Sequence, residues 1–324
     1  MADKVLTISI AAYNLSERID QCLASFASSK FIDDIELIVT NDGSKDDTAR
    51  KVEKWVERYP NSIRLINKKN EGAGSTVNSG ILHATGKYFK MVDGDDWVEN
   101  IDEFVSFLKN CDSDRVVSDY TFYDNSKKAK DRTESFSLPK GCFHFDDEWD
   151  KIPNERHALC FKTEIRKSIH LDNGFYTDVE YLLFPLTKVK TVSYFAKTVY
   201  IYRVGQRNQS VSPQSRRKHV LDHEAVLSHV LSWLNDNKDK RSPQHLSFVL
   251  KRAVSLVDNQ MVIYLLFKPS KKQKTKIKSF VQEISRNEEL YSLYKQNKKL
   301  KLLTKSHYLL YPLACRLVQR KEGR

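Results

Sequence analysis

Asp93-Gly94-Asp95-Asp96-Trp97 puts three carboxylates within four residues at the end of an apolar run. Like charges this close repel, and burying them without a cation is costly. A divalent ion such as Mg2+ or Mn2+, held by one or two carboxylates together with substrate phosphates, resolves that conflict. Gly94 would admit close backbone approach and Trp97 would wall off the site; an exposed acidic turn capping the next helix is the plainer alternative. Asn41-Asp42-Gly43-Ser44-Lys45-Asp46-Asp47-Thr48 reads on its own as a strand-to-helix turn with good capping residues. A carboxylate there could also accept a hydrogen bond from a base N–H of a nucleotide. Asn70-Glu71-Gly72-Ala73-Gly74-Ser75-Thr76 is a Gly-rich turn ahead of a helix, suited to ribose or phosphate. It has neither the Lys-Ser/Thr pair of a P-loop nor full GxGxxG spacing.

These residues need a frame that brings them together. Residues 5–12, 35–40, 63–67 and 88–92 are short apolar runs of strand character. Helical patterns lie between them at about 16–28, with Ser16 as N-cap, at 46–59 and at 75–84. The alternation predicts an α/β fold, a largely parallel sheet with helices on both faces. Ligands of such sheets bind beyond the carboxyl ends of the strands. Ala12, Tyr13 and Asn14, then Asn41-Asp42, then 67–74, then 93–96 all stand at those ends, so they share one address. Farther along, 115–122 reads as a strand, 125–133 as a mobile Lys-rich loop and 157–167 as a helix. Asn173-Gly174 turns the chain ahead of an amphipathic helical stretch over 175–188, and 192–195 and 199–203 read as short strands.

Taken together, VLTISIAA (5–12), NDGSKD (41–46), NEGAGSTVNSGILHATGKYF (70–89) and MVDGDDW (91–97) resemble the nucleotide-binding half of inverting family 2 glycosyltransferases. The likeness extends more loosely to about residue 212. It implies the GT-A fold, a Rossmann-like αβα sandwich, and transfer of a sugar from a nucleotide diphosphate donor, most often UDP, with Mn2+ or Mg2+. On that likeness Asp42 contacts the base. Ala12, Tyr13, Asn14, Asn70 and Gly72 surround the nucleotide, Asp93 lies near ribose and metal, and Asp95 is the principal metal ligand. Asn78 matches the Asn of an Arg-Asn pair, but Val77 stands where the Arg is usual, and Asn41 stands where Asp is usual. Asp178, in Tyr176-Thr177-Asp178-Val179-Glu180-Tyr181, matches the catalytic base of a Glu-Asp pair, with Thr177 in place of the Glu. A sugar hydroxyl is a weak nucleophile, so a carboxylate must take its proton as it attacks the anomeric carbon. Residues 202–212 resemble the segment that closes over the diphosphate, where Arg203 or Arg207 could pair with phosphate oxygens or form surface ion pairs. His157 falls in a stretch that resembles the acceptor-side helix; a packed or capping His is the simpler reading. Two other functions stay open. One is a degenerate nucleotide-binding protein, for which the missing Arg at position 77 argues. The other is a different metal-dependent phosphate enzyme, although an Asp nucleophile is usual after the first strand, where this chain has Ala11-Ala12-Tyr13-Asn14.

The formal charge of +12 is skewed toward the C-terminal third, with Lys271, Lys272, Lys274, Lys276 and Lys278 in one run. A basic surface invites an anionic partner, or is simply a solvated helix face. Tyr291, Tyr294 and Tyr308 are too sparse among the cations for nucleic-acid binding. Composition therefore predicts a catalytic domain over 1–213 and a helical, basic region over 214–324 that serves packing, homo-oligomerisation or membrane association. Residues 308–318 (YLLYPLACRLV), flanked by Lys301, Lys305, Arg316 and Arg320, fit an interfacial helix on an anionic leaflet, or one packed on the body or a second subunit. Five widely spaced cysteines without zinc spacing read as reduced thiols. Met1-Ala2-Asp3-Lys4 shows no signal-peptide layout, and no apolar run reaches the ~18 residues of a membrane span. The expected setting is the cytoplasm, peripheral to the inner membrane face, and the resemblance implies a glycan, glycolipid or polymer acceptor.

Overall fold

The computed structural model describes residues 4–172, 174, 176–205, 212–237 and 242–322. The chain divides into two compact units, Met1–Gln206 and Arg207–Arg324.

In the first unit, β1 (Leu6–Ala12) is almost wholly buried, as a central parallel strand must be. α1 (Ile19–Ala27) turns Ile19, Cys22, Leu23 and Phe26 inward at helical spacing. It starts at Ile19 and not at Ser16, because the Ser16 N–H donates to Asp46 in the neighbouring loop. β2 (Ile35–Asn41), α2 (Thr48–Arg58), β3 (Ile63–Asn67), α3 (Ala73–His83) and β4 (Tyr88–Asp93) continue the alternation. β1, β2, β3 and β4 are parallel in the order β3-β2-β1-β4. The chain thus winds outward from β1 to β3 and returns to β4 on the other side, which opens a crevice where the direction reverses. The register levels the strand ends: Ala12 pairs with Asn41, Ala11 with Asp93, and Asn41 with Asn67.

The rest of this unit is β5 (Trp97–Val98), α4 (Ile101–Lys109), β6 (Arg115–Asp124), β7 (Ala129–Glu134), β8 (Cys142–His144), β9 (Leu159–Lys162), α5 (Thr163–Lys167), α6 (Asp178–Leu183) and β10 (Thr191–Val204). The sheet is mixed here: β9 lies antiparallel between β4 and β6, and β10 runs parallel to β6. Three expectations change. The Lys-rich stretch 125–133 is no loose loop, since β7 pairs back on β6. The stretch 157–167 is not one helix but a 3-10 turn at Arg156–Ala158, then β9, then α5. An apolar run of four residues has no periodicity to separate strand from helix, and the open edges of β4 and β6 decide it. The two short strands expected at 192–203 are one strand, β10, with register shifts between Phe195, Thr198 and Tyr200.

The second unit holds α7 (Pro213–Lys218), α8 (Val220–Asp236), α9 (Pro243–Leu265), α10 (Lys271–Ser285), α11 (Glu288–Tyr294), α12 (Lys298–Lys305) and α13 (Tyr311–Glu322). Ser212, Ser242, Ser270, Asn287 and Asn297 cap five of them, each side chain accepting from a backbone N–H of the first turn. Among the described residues no helix is long and apolar enough to cross a membrane. All five cysteines are free thiols.

Candidate functional site

The ends of β1 and β2 are laced together by their own loops. The Asp42 N–H donates to the Ala12 carbonyl (2.9 Å). Asn14 adopts φ 53°, where its N–H reaches Ser44 Oγ (2.9 Å) and its side-chain oxygen accepts from the Lys45 N–H (2.8 Å). Tyr13, between them, is exposed. Asn41 donates to Asn67 Oδ1 (2.8 Å) and accepts from the Ser44 N–H.

Asp42 is buried and its carboxylate organises the Gly-rich turn. It accepts from the Glu71 N–H (3.0 Å), the Gly72 N–H (2.9 Å) and Lys68 Nζ (3.0 Å). Gly72 takes φ 94°, a left-handed value open to glycine. Lys68 also reaches Ser75 Oγ (2.9 Å) and Glu71 (2.8 Å). Burial opposes its charge, but the hydrogen bonds to Glu71 and Asp42 outweigh that and raise its pKa above the usual lysine value. Lys68 is thus a cation built into the Gly-rich turn that sequence reasoning passed over. Asn70 lies against the other turn: a Cβ on Gly43 would stand 3.1 Å from its backbone N.

α3 ties this loop to the segment that leads into Asp178. Asn78 donates to the Leu171 carbonyl (2.8 Å) and accepts from the Leu171 N–H (3.0 Å). Val77, where the resemblance expected Arg, is buried. A Cβ on Gly74 would fall 1.7 Å from the Asp172 carbonyl oxygen. Gly74→Ala must therefore push that segment off α3, an overpacking cost of roughly 1–3 kcal/mol. The thermal midpoint should drop by several degrees, roughly in proportion; an unchanged midpoint would mean the contact is not tight. Asp178 opens α6 and is partly buried. Tyr176, two residues earlier, holds φ 67°, a left-handed backbone that costs of order 1–3 kcal/mol for a bulky residue and tends to occur at functional sites. Glu180 is fully buried and accepts from the Asp172 N–H (2.7 Å).

The carboxylate cluster sits at the end of β4. Asp96, 2% exposed, accepts from Tyr200 Oη (2.6 Å) and the Arg203 N–H (2.8 Å). Burial, then the fields of Asp93 and Asp95, push its pKa well above the usual carboxylate range. Arg203, 7% exposed, is part of the wall. Its guanidinium donates to the Asp95 carbonyl (2.9 Å), Gln21 Oε1 (2.7 Å) and Asn125 Oδ1 (3.2 Å) and lies over the Trp97 ring (4.8 Å). It braces the acidic turn. Arg207 lies outside the described residues.

Asp93 is gripped by both terminal nitrogens of Arg156, one at 2.9 Å, in a bidentate pair. Burial opposes the charge of Arg156, but Asp93, Tyr200 and Asp178 together raise its pKa well above the ordinary value. One guanidinium therefore feels both the cluster at β4 and the head of α6. Lys90, buried in β4, holds this turn by donating to the His157 carbonyl (2.6 Å) and the Leu159 carbonyl (3.2 Å). The His157 ring stacks on Tyr202 (4.2 Å between centroids). Burial, with Arg156 and Lys90 nearby, keeps it neutral, and its Nε2 is buried with no hydrogen-bond partner. Asp93, Asp96 and His157 each bring a ligand atom within 4.8 Å of the others. Oxygen ligands with one neutral imidazole suit a Mg2+- or Mn2+-like ion, and Asp95 on the same turn adds a third carboxylate. The crowded carboxylates fit a cation, with Asp96 raised first by burial and then by the fields of Asp93 and Asp95.

A profile of glycosyl transferase family 2 matches residues 7–175, more than half of the 324 residues. EpsH of Bacillus subtilis (strain 168) is 27% identical over 223 residues, 63% of this chain and 62% of EpsH. The chain spans less than two thirds of the length of the curated relatives it matches first, with smaller shares of the next two. S. aureus TarS 1–349, solved in complex with UDP, shares the fold at TM-score 0.63 and 15% identity, over 99% of this chain and 92% of that one. The mannosyltransferase PcManGT from Pyrobaculum calidifontis, in complex with GDP-Man and Mn2+, aligns at TM-score 0.50 and 14% identity, over 98% and 88%. The family profile lies over the strands and loops that carry the acidic turn, and the chain belongs to glycosyl transferase family 2.

Proposed function

We propose that the protein is an inverting glycosyltransferase that moves a hexosyl or N-acetylhexosaminyl group from a UDP-sugar to a hydroxyl of a glycan, glycolipid or polymer acceptor. Family membership carries sugar transfer; the UDP preference leans on the fold shared with TarS, which binds UDP. The observation that carries the mechanism is the partly buried Arg156, paired with Asp93 and within the field of Asp178, so that donor side and base side adjoin. In this reading the loops at Ala12–Asn14, Asp42, Asn70–Gly72 and Asn78 shape the nucleotide site, directly or by holding its backbone. Asp93 and Asp95 would hold Mn2+ or Mg2+, which supplies charge stabilisation to the leaving diphosphate. Asp178 takes the proton of the acceptor hydroxyl as its oxygen bonds to the anomeric carbon. The bond from that carbon to the diphosphate breaks on the opposite face, and configuration inverts. Arg203 keeps the acidic turn in place, and the resemblance makes Arg207 a candidate partner of the diphosphate. The setting is the cytoplasmic face of a membrane, with the helical, basic unit serving docking.

Calorimetry with UDP, and GDP as control, tests this. UDP should bind with Mn2+ present and weaken at least roughly tenfold with chelator, about 1.4 kcal/mol, and GDP should bind more weakly still. A folded protein that binds neither nucleotide would refute the UDP reading. Binding without turnover on any UDP-sugar would favour the second reading, a nucleotide-binding protein without transferase activity, for which buried Val77 in the place of Arg speaks.

A further inference from the structure

α13 packs into the second unit through one face only. Tyr311, Ala314 and Cys315 are buried, and Gln319 Nε2 donates to the Phe267 carbonyl (3.0 Å) at the end of α9. Arg216 pairs with Glu322 (3.1 Å) at its far end. The helix is thus held in place and its other face is presented outward. That face carries Leu313 (45% exposed) and Leu317 (52%), preceded by Leu309 (76%) and Leu310 (40%). At 3.6 residues per turn Arg316 and Arg320 fall in the same arc, roughly 100° wide, as Leu313 and Leu317. From Lys298 to Lys321 the chain holds seven Lys or Arg and no carboxylate. Among the described residues only Lys299 of these has an ion-pair partner, Asp258. A cavity of about 670 Å³ beside Gln319 adds two exposed cations, Arg217 and Lys268.

We propose that this face docks the enzyme on an anionic phospholipid surface, the leucines entering the headgroup boundary and the cations meeting lipid phosphates. The inference deepens the membrane setting proposed above and rests on it, but not on the identity of the donor. A helix and lead-in turn that leave four leucines outward call for an apolar partner, and the cations with no counter-carboxylate call for an anionic one. A bilayer meets both demands. A second copy docked through the same patch would set Arg316 and Arg320 against the same cations, and a nucleic acid would leave the leucines without a partner. The acceptor is then a molecule presented at the membrane, delivered by a reaction that builds it on a lipid.

Flotation of the full chain with vesicles tests this, using phosphatidylcholine alone or mixed with phosphatidylglycerol. The protein should float with the mixed vesicles, lose roughly tenfold in binding without phosphatidylglycerol, and weaken as salt rises. Leu313→Gln with Leu317→Gln, and separately Arg316→Gln with Arg320→Gln, should each weaken vesicle binding roughly tenfold. All four positions are exposed, so melting temperature and UDP binding should be unchanged. Vesicle binding that is absent, or equal in all three proteins, overturns the proposal. A leucine variant that turns a dimer into a monomer without changing vesicle binding assigns the face to a second copy and also overturns it. UDP binding in the same samples separates failure of the docking surface from failure of the transferase reading.

Discussion

Asp178→Asn is expected to bind UDP-sugar as the parent enzyme does while turnover falls by roughly 10²–10⁴-fold, the usual contribution of a general base. The amide keeps the size and shape of the side chain at the head of α6 but cannot take a proton from the acceptor hydroxyl. The site offers no ready substitute: Glu180 is fully buried and held by the Asp172 N–H. Asp93 is occupied by Arg156. Arg156 would lose one of the negative charges that hold it, but its bidentate grip on Asp93 remains. Single-turnover kinetics beside calorimetry separate the cases. Unchanged turnover removes Asp178 as the base. Loss of UDP binding together with turnover would make Asp178 a structural anchor of the segment that Gly74 and Asn78 clamp, because that segment borders the Gly-rich turn.

Much of the nucleotide half was legible in the chain because its signals are local. β1, β2, β3 and β4 are short apolar runs whose ends carry the polar residues, and parallel register makes those ends level without further information. Individual roles were less legible. Asp42 suggested a base contact from its type, yet three donors from the 68–72 loop meet its carboxylate. Arg203 suggested a phosphate ligand, yet its fork is spent on a carbonyl and two side-chain amides. Arg156 was missed altogether. It lies 63 residues from Asp93, in a stretch whose helical appearance hid a turn and a strand. The one cue was His157 beside it. Tyr200, 104 residues from Asp96, was likewise just another β-strand aromatic until β10 came to lie beside β5 and β6. Long-range pairing across a mixed sheet leaves no periodic trace, so the inner wall of the site could be found only in three dimensions.

Asp95→Ala should abolish the metal-dependent part of UDP binding, the same loss of at least roughly tenfold or about 1.4 kcal/mol that chelator gives, and leave a remainder that chelator does not change. The three carboxylates of the acidic turn are not equivalent. Asp96 is locked by Tyr200 and Arg203, and Asp93 is neutralised by Arg156. The Asp95 carbonyl accepts from Arg203. Truncation to alanine keeps that carbonyl, so the Arg203 brace on the turn should survive, and the melting temperature reports any loss of fold. Titrating Mn2+ and UDP separately and together gives the decisive comparison. If the variant still gains affinity for UDP from Mn2+, the ion is held elsewhere in the cluster, and Asp93, Asp96 and His157, whose ligand atoms already converge, become its ligands. If the gain vanishes while the fold persists, the charge at position 95 is what lets a crowded acidic turn accept a metal–diphosphate unit, with Arg156 balancing Asp93 alongside it.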